Sequence, residues 1–260
     1  MNPVAAYEEV NRIWDGLADF GVNQTEEATS YLMSSLCDLV GAWNANWTGA
    51  VCMSGDYADD PLKGWRVPGG QQLHAVAPHP DEELVKEIKR RWERREVDPA
   101  FLLPLKEVGT FRCHIIRRDL PADWFDSPYY KQFYASVGTH DSVWVGFPVN
   151  QDAESYFGFH SRQPFTENEA ELLAFTLRGI KWFHRRLMLS HGLLVASTPL
   201  MPRERDVLKL LLTEATEKQI AEQLGLAFST THSYVTGVFR KFGVRGRAGL
   251  MSLWLNQASG

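Results

Sequence analysis

The chain has 260 residues, a mass of 29.5 kDa, a formal charge of −5 at pH 7 and 44% hydrophobic residues. That is room for one sizeable core and a small second domain, and no apolar stretch approaches the ~20 residues that a membrane span needs. Cys37, Cys52 and Cys113 show neither metal-ligand nor redox spacing, and Met1–Asp19 lacks the basic-then-apolar order of a signal peptide. Together these predict a reducing, cytoplasmic setting with no cofactor and no metal.

In chain order, residues 4–20 and 24–43 carry helical periodicity, with Leu32, Leu36, Leu39 and Val40 on one face of the second. Trp47–Met53 reads as a strand, and Trp65–Val67 as a short strand within the Gly-, Pro- and Asp-rich stretch Asp56–Gly70. Asp81–Glu96 predicts a charged helix with Leu84, Ile88 and Trp92 as its apolar stripe. Interleaved Glu residues make its Lys86–Arg95 run a solvated face rather than a nucleic-acid patch. Phe111–Arg117 is the next strand, and Trp124–Ser136 a short aromatic helix. Ser142–Val149 and Ser155–His160 form a hairpin around Asn150-Gln-Asp-Ala. Thr166 with Glu169 is a capping box opening a long exit helix that runs to about Leu194. The order predicts an α+β domain over residues 1–195, and the prolines of Ser197–Pro202 predict a linker at 196–201.

Eight of the nine Trp precede residue 200, so the aromatic load sits in this first domain. Aromatic lining with few polar groups is the chemistry of a small-molecule pocket. Trp47, Trp65, Cys113, Tyr129, Phe133 and Trp144 are the candidate lining; the alternative is that these rings only fill a core. His74 and His79 lack a companion carboxylate, and the adjacent Cys113 and His114 point to opposite faces of a strand, so they cannot chelate together. With no nucleophile elbow, ordered Cys–His pair or Walker loop, no enzyme is expected.

The strongest pattern lies in residues 202–260. Pro202 stands where a helix starts, at a first-turn position that needs no backbone donor, and Val207, Leu208, Leu211 and Leu212 follow at helical spacing. Thr216 with Gln219 is a capping box for a short second helix buried through Ile220, Ala221 and Leu224, and Gly225 closes it. A third helix, with Val235, Val238, Phe239 and Phe242 inward, is predicted from about Ser229 because Ala227 cannot cap it. A fourth covers Ala248–Asn256. From Pro199 onward there are eight Lys and Arg against five acidic residues, whereas the preceding residues hold 19 against 27.

Pro202-Arg-Glu-Arg-Asp-Val-Leu, Lys218-Gln-Ile-Ala-Glu-Gln-Leu-Gly-Leu and Val238-Phe-Arg-Lys-Phe-Gly-Val-Arg-Gly-Arg-Ala resemble the LuxR-type helix-turn-helix over roughly residues 199–257. The resemblance implies a four-helix DNA-binding module whose third helix enters the major groove. It places base contacts at His232, Ser233 and Thr236, where family members often carry Lys or Arg at two positions. Phosphate contacts fall to Lys218, Thr230, Arg240, Lys241 and Arg245. Leu250, Leu253 and Trp254 are the candidate dimer contact, the alternative being that they pack within their own domain. The first domain resembles GAF- and PAS-like sensors, an α-β-α sandwich about an antiparallel sheet. Trp43, Trp47 and Trp65 do not reproduce the aromatic spacing of acyl-homoserine-lactone receptors, so the resemblance names no ligand. The expectation is a homodimeric regulator of double-stranded DNA under a small-molecule effector. The rival is an unliganded first domain that only dimerises or docks a protein.

Overall fold

The computed structural model describes residues 3–53, 57–75, 96–196 and 198–257, with isolated positions at 86, 90, 91 and 94. His79 and the apolar stripe expected at Leu84, Ile88 and Trp92 lie outside the described residues. The chain divides into two compact units, Met1–Ile13 with Ser30–Gly179, and Trp14–Thr29 with Ile180–Gly260. Residues 196–201, where a linker is expected, lie within the second of these units. Helices α1 (Pro3–Ala18) and α2 (Thr25–Val40) each contribute residues to both units.

The first unit is a mixed structure of helices and one antiparallel sheet. Strands β1 (Asn44–Cys52), β2 (Trp65–Gln72), β3 (Arg112–Ile115), β4 (Asp141–Asn150) and β5 (Ala153–Ser161) lie in the order β2-β1-β5-β4-β3. The predicted hairpin is β4–β5, turning through Gln151 and Asp152 between the paired Asn150 and Ala153. The strand foreseen at Trp65–Val67 runs on to Gln72. The single aromatic helix expected over 124–136 is a set of shorter pieces, with α5 (Pro128–Phe133) its longest. Pro128 can start a helix but not continue one from Phe125, and Ser127 caps it by accepting from Tyr130 N at 3.1 Å. Two further short helices, α3 (Pro99–Leu102) and α4 (Ile116–Asp119), flank β3.

Residues directly opposite on neighbouring strands share a face of the sheet, so register assigns the two faces. Cys113, Val145, Phe157 and Trp47 form one row across four strands. Helix α6 (Glu167–Arg178) lies against β3 and β4 on that side, where Cys113 Sγ donates to Ala170 O at 3.6 Å. The rows His114–Trp144–Gly158–Asn46 and Arg112–Gly146–Tyr156–Thr48 therefore occupy the other face.

The expected exit helix is two helices, α6 and α7 (Lys181–Ser190), broken at Gly179 and a non-helical Ile180 (φ −112°, ψ 44°). Gly weakens a helix interior by about 1 kcal/mol relative to Ala. The apolar repeat continues across the break because Leu173, Leu177, Ile180, Phe183 and Leu187 are all buried, and this hides the interruption from a periodicity argument.

In the second unit α7 is joined by α8 (Pro202–Leu211), α9 (Glu217–Leu224), α10 (Phe228–Lys241) and α11 (Arg247–Gln257). They close over one core built on Val207, Leu208, Ile220, Val235, Val238 and Phe242. The Thr216 capping box is present in both halves, and Gly225 takes the left-handed conformation (φ 63°) that ends α9. At α8, Glu204 alone supplies a cap, accepting from Met201 N at 2.7 Å. Helix α10 begins at Phe228, earlier than the expected Ser229 or Thr230. Extended Ala227 (φ −65°, ψ 146°) leads in without a side-chain cap, and its carbonyl accepts from Thr231 N at 3.0 Å. Leu250 (0% exposed) and Trp254 (6%) belong to this core, with half-buried Leu253 packed against it. The expected dimer contact is thus corrected: Leu250 and Trp254 are spent on holding α11 to its own domain.

Candidate ligand cavity and nucleic-acid interface

The face of the sheet opposite α6 borders a cavity of about 260 Å³, at the small end of ligand clefts. Two cross-strand pairs create its floor: Trp144 lies opposite Gly158, and Tyr156 opposite Gly146. A Cβ on Gly158 would meet Asn46 Oδ1 and Trp144 at 2.8 Å, and one on Gly146 would meet Tyr156 at 2.9 Å. The large rings fit because the neighbouring strand leaves their space free. Gly158→Ala is accordingly expected to destabilise the protein by about 1–3 kcal/mol through overpacking. The check is a urea titration; an unchanged midpoint would mean that Trp144 and Asn46 yield freely.

Polar groups on this face are engaged in order. Ser142 Oγ donates to His160 Nδ1 (2.8 Å), His160 Nε2 donates to Asn46 Oδ1 (2.8 Å), and Asn46 Nδ2 donates to Thr48 Oγ1 (3.2 Å). Burial pushes His160 down to about 4, so its ring is neutral at pH 7 and this tautomer is fixed by its neighbours. The Thr48 hydroxyl hydrogen has no acceptor among the described residues and lies at the cavity wall.

Below Tyr156 lies a buried ion pair. Arg112 donates to both oxygens of Glu154, at 3.0 and 2.6 Å, with side-chain exposures of 2% and 0%. The Tyr156 hydroxyl donates to Glu154 Oε2 and accepts from Arg112. Desolvation raises the Tyr156 phenol well above its ordinary value. The cavity therefore offers hydrogen bonds but no unneutralised charge on this floor.

Of the expected lining, Trp65 and Trp144 border the cavity. Trp47 and Cys113 do not, because register turns both to the α6 face, where Trp47 Nε1 donates to Ser155 Oγ at 2.9 Å. Tyr129 packs beside Trp124 and Phe133, outside the cavity wall, and Tyr134 lines it instead. Asn46, Thr48 and Tyr156 were missed. Their signal was the alternation Asn46-x-Thr48-x-Ala50, polar on one side and Trp47-centred on the other.

In the second unit, the helix-turn-helix α9–α10 presents His232, Ser233 and Thr236 outward while Val235 and Val238 are buried. His232 Nδ1 donates to Glu217 Oε2 (2.9 Å), and Ser233 Oγ donates to Ser229 O (3.0 Å). Lys218, Thr230, Arg240 and Arg245 are exposed, and the three cations among them form no ion pair among the described residues. Lys241 departs from expectation. Its ammonium lies 2.5 Å from Glu204 Oε2 and donates to Pro199 O at 3.1 Å, so it fastens the end of α10 to the start of α8 rather than standing free for a phosphate.

Residues 198–254 match the family described as GerE: Bacterial regulatory proteins, luxR family. The chain is similar to the spore germination protein GerE of Bacillus subtilis, 38% identical over 53 residues that cover 20% of this chain and 72% of GerE. The chain belongs to the luxR family of bacterial regulatory proteins. This LuxR-family chain is also similar to the transcriptional regulatory protein MctR of Rhizobium johnstonii, 40% identical over 55 residues. That match spans 21% of the chain and about a quarter (26%) of MctR's own length. Among solved structures it is similar to Escherichia coli SdiA, with a TM-score of 0.47 and 12% identity over 97% of this chain and 98% of that one.

Proposed function

We propose that this protein is a sequence-specific DNA-binding transcription regulator controlled by a small, neutral, largely apolar molecule held in the cavity of its first unit. The carrying observation is α10, a helix anchored by Val235 and Val238 whose opposite face is exposed and flanked by cations that form no ion pair among the described residues. On this reading residues 202–260 are the DNA-binding domain, 196–201 its linker, and the first unit a GAF/PAS-like sensor in a cytoplasmic homodimer. His232, Ser233 and Thr236 read bases; Lys218, Thr230, Arg240 and Arg245 hold phosphates. The ion-paired floor of the cavity supports a neutral effector, and the presence of a cavity favours ligand control over a purely docking role. Regulation requires that the effector bind the DNA-competent arrangement with a different affinity from the incompetent one.

The test is selection of bound duplexes from a random pool by the full-length chain, repeated over a range of salt. Arg240→Ala is expected to weaken all duplexes alike and to lower the salt slope by about 1, because a phosphate contact releases counterions. Thr236→Ala is expected to change sequence preference instead. Uniform losses for both variants would sink the assignment of roles, and a pool without enrichment would sink the DNA-binding reading.

A further inference from the structure

The exposed face of α10 carries an aromatic that its own domain does not use. Phe228 is the first residue of the helix, is 57% exposed, and lies outside the core cluster of the second unit. It neither caps the helix nor fills a cavity. One turn on, the His232 ring lies nearly parallel to it, with centroids 6.5 Å apart at 17°. His232 in turn is held from α9 by the Glu217 carboxylate, at 2.9 Å from Nδ1. Phe228, His232 and Thr236 are spaced by four residues, so they form one stripe along the helix.

Each member of this arrangement has a defined chemistry. With Nδ1–H committed to Glu217, a neutral His232 presents Nε2 outward as an acceptor and not as a donor. In the major groove an acceptor complements the exocyclic amino group of adenine or cytosine, and an exposed phenyl ring complements the thymine methyl. An unheld His could offer either nitrogen, in either role, and would discriminate poorly.

We propose that Phe228 and His232 read neighbouring base pairs, Phe228 through a thymine methyl and His232 through an amino group, with Glu217 as the positioning residue that selects the His232 tautomer. This inference rests on the DNA-binding reading; it adds Phe228 as a base contact and gives the His232 contact a stated chemistry set by Glu217.

The experiment uses the full-length chain and the duplex it selects, with thymines replaced one at a time by uracil and adenines by purine, which lacks the amino group. One uracil position is expected to weaken the wild-type complex roughly fourfold, the worth of a single buried methyl. The same uracil leaves Phe228→Ala unaffected. One amino-group deletion (N4 of cytosine being removed in the same way) is expected to cost the wild type about tenfold. That deletion costs His232→Ala nothing, and Glu217→Ala loses the same discrimination. Uracil losses that persist undiminished in Phe228→Ala, or a Glu217→Ala variant that discriminates as the wild type does, overturn the inference. A selected duplex with no uracil-sensitive position also overturns it while leaving the DNA-binding reading intact. A pool with no selected duplex removes both.

Discussion

Replacing Glu154 with Ala is expected to cost about 3–5 kcal/mol of stability, the loss that follows when one partner of a buried ion pair is removed. The Glu154 carboxylate accepts from Gly109 N at 2.9 Å, from both terminal nitrogens of Arg112, and from the Tyr156 hydroxyl. Without it the Arg112 guanidinium, only 4% exposed as a residue, retains the Thr110 carbonyl at 2.7 Å, the Tyr156 hydroxyl and the face of the Tyr156 ring, all of them neutral. A cation held in a dry site without a counter-charge is costly. The measurement is the urea midpoint at constant m. The double variant Arg112→Met with Glu154→Leu should regain much of the loss, since an apolar pair of similar volume removes the stranded charge. A single-variant loss below about 1 kcal/mol would show that water reaches the pair in solution and sink the account of a dry, neutral cavity floor.

The second large effect falls in the other unit. Leu250→Ala is expected to destabilise the DNA-binding domain by about 2–5 kcal/mol, the range for a fully buried Leu whose neighbours cannot collapse into the gap. Leu250 shares its core with Val238, Phe242 and Trp254, and the Phe242 and Trp254 rings meet at 5.7 Å. The consequence separates two roles that the same apolar stripe would suggest. A core residue lowers the midpoint of unfolding at every protein concentration, whereas an interface residue shifts a monomer–dimer equilibrium and leaves the monomer intact. Unfolding followed at two concentrations decides between them. A variant that only dissociates would restore Leu250 to the interface.

The second unit was far more legible than the first. Its helices are specified by local signals, such as Pro202 at a first turn, Thr216 with Gln219, and Gly225 in the left-handed region, each acting within four residues. Helix α10 starts earlier than its local signals indicate because a missing side-chain cap weakens a helix end without forbidding it, and Ala227 enters in extended geometry all the same. Lys241 looked like a free cation because nothing in its local sequence reveals that Glu204 and Pro199 lie beside it. The cavity was harder still. Composition pointed to aromatic residues, but which of them share a wall depends on strand register, a long-range property. Cys113 and Trp144 cannot share a wall, since Cys113 pairs with Val145, whose side chain is on the other face of β4 from Trp144. The break at Gly179–Ile180 escaped for the related reason that burial continues on both sides of it.

The floor of the cavity has one more consequence, for how its selectivity would change. Its shape comes from two positions where a side chain is left out, Gly146 and Gly158, each facing a large ring on the adjacent strand. Most binding sites are reshaped by exchanging one side chain for another, with the backbone and several neighbours adjusting together. Here the smallest step is a single carbon at Gly146 or Gly158, which acts through the facing Tyr156 or Trp144 ring that it would press upon. The girth of what the cavity admits would therefore change in discrete steps, each set by how far the facing ring must move.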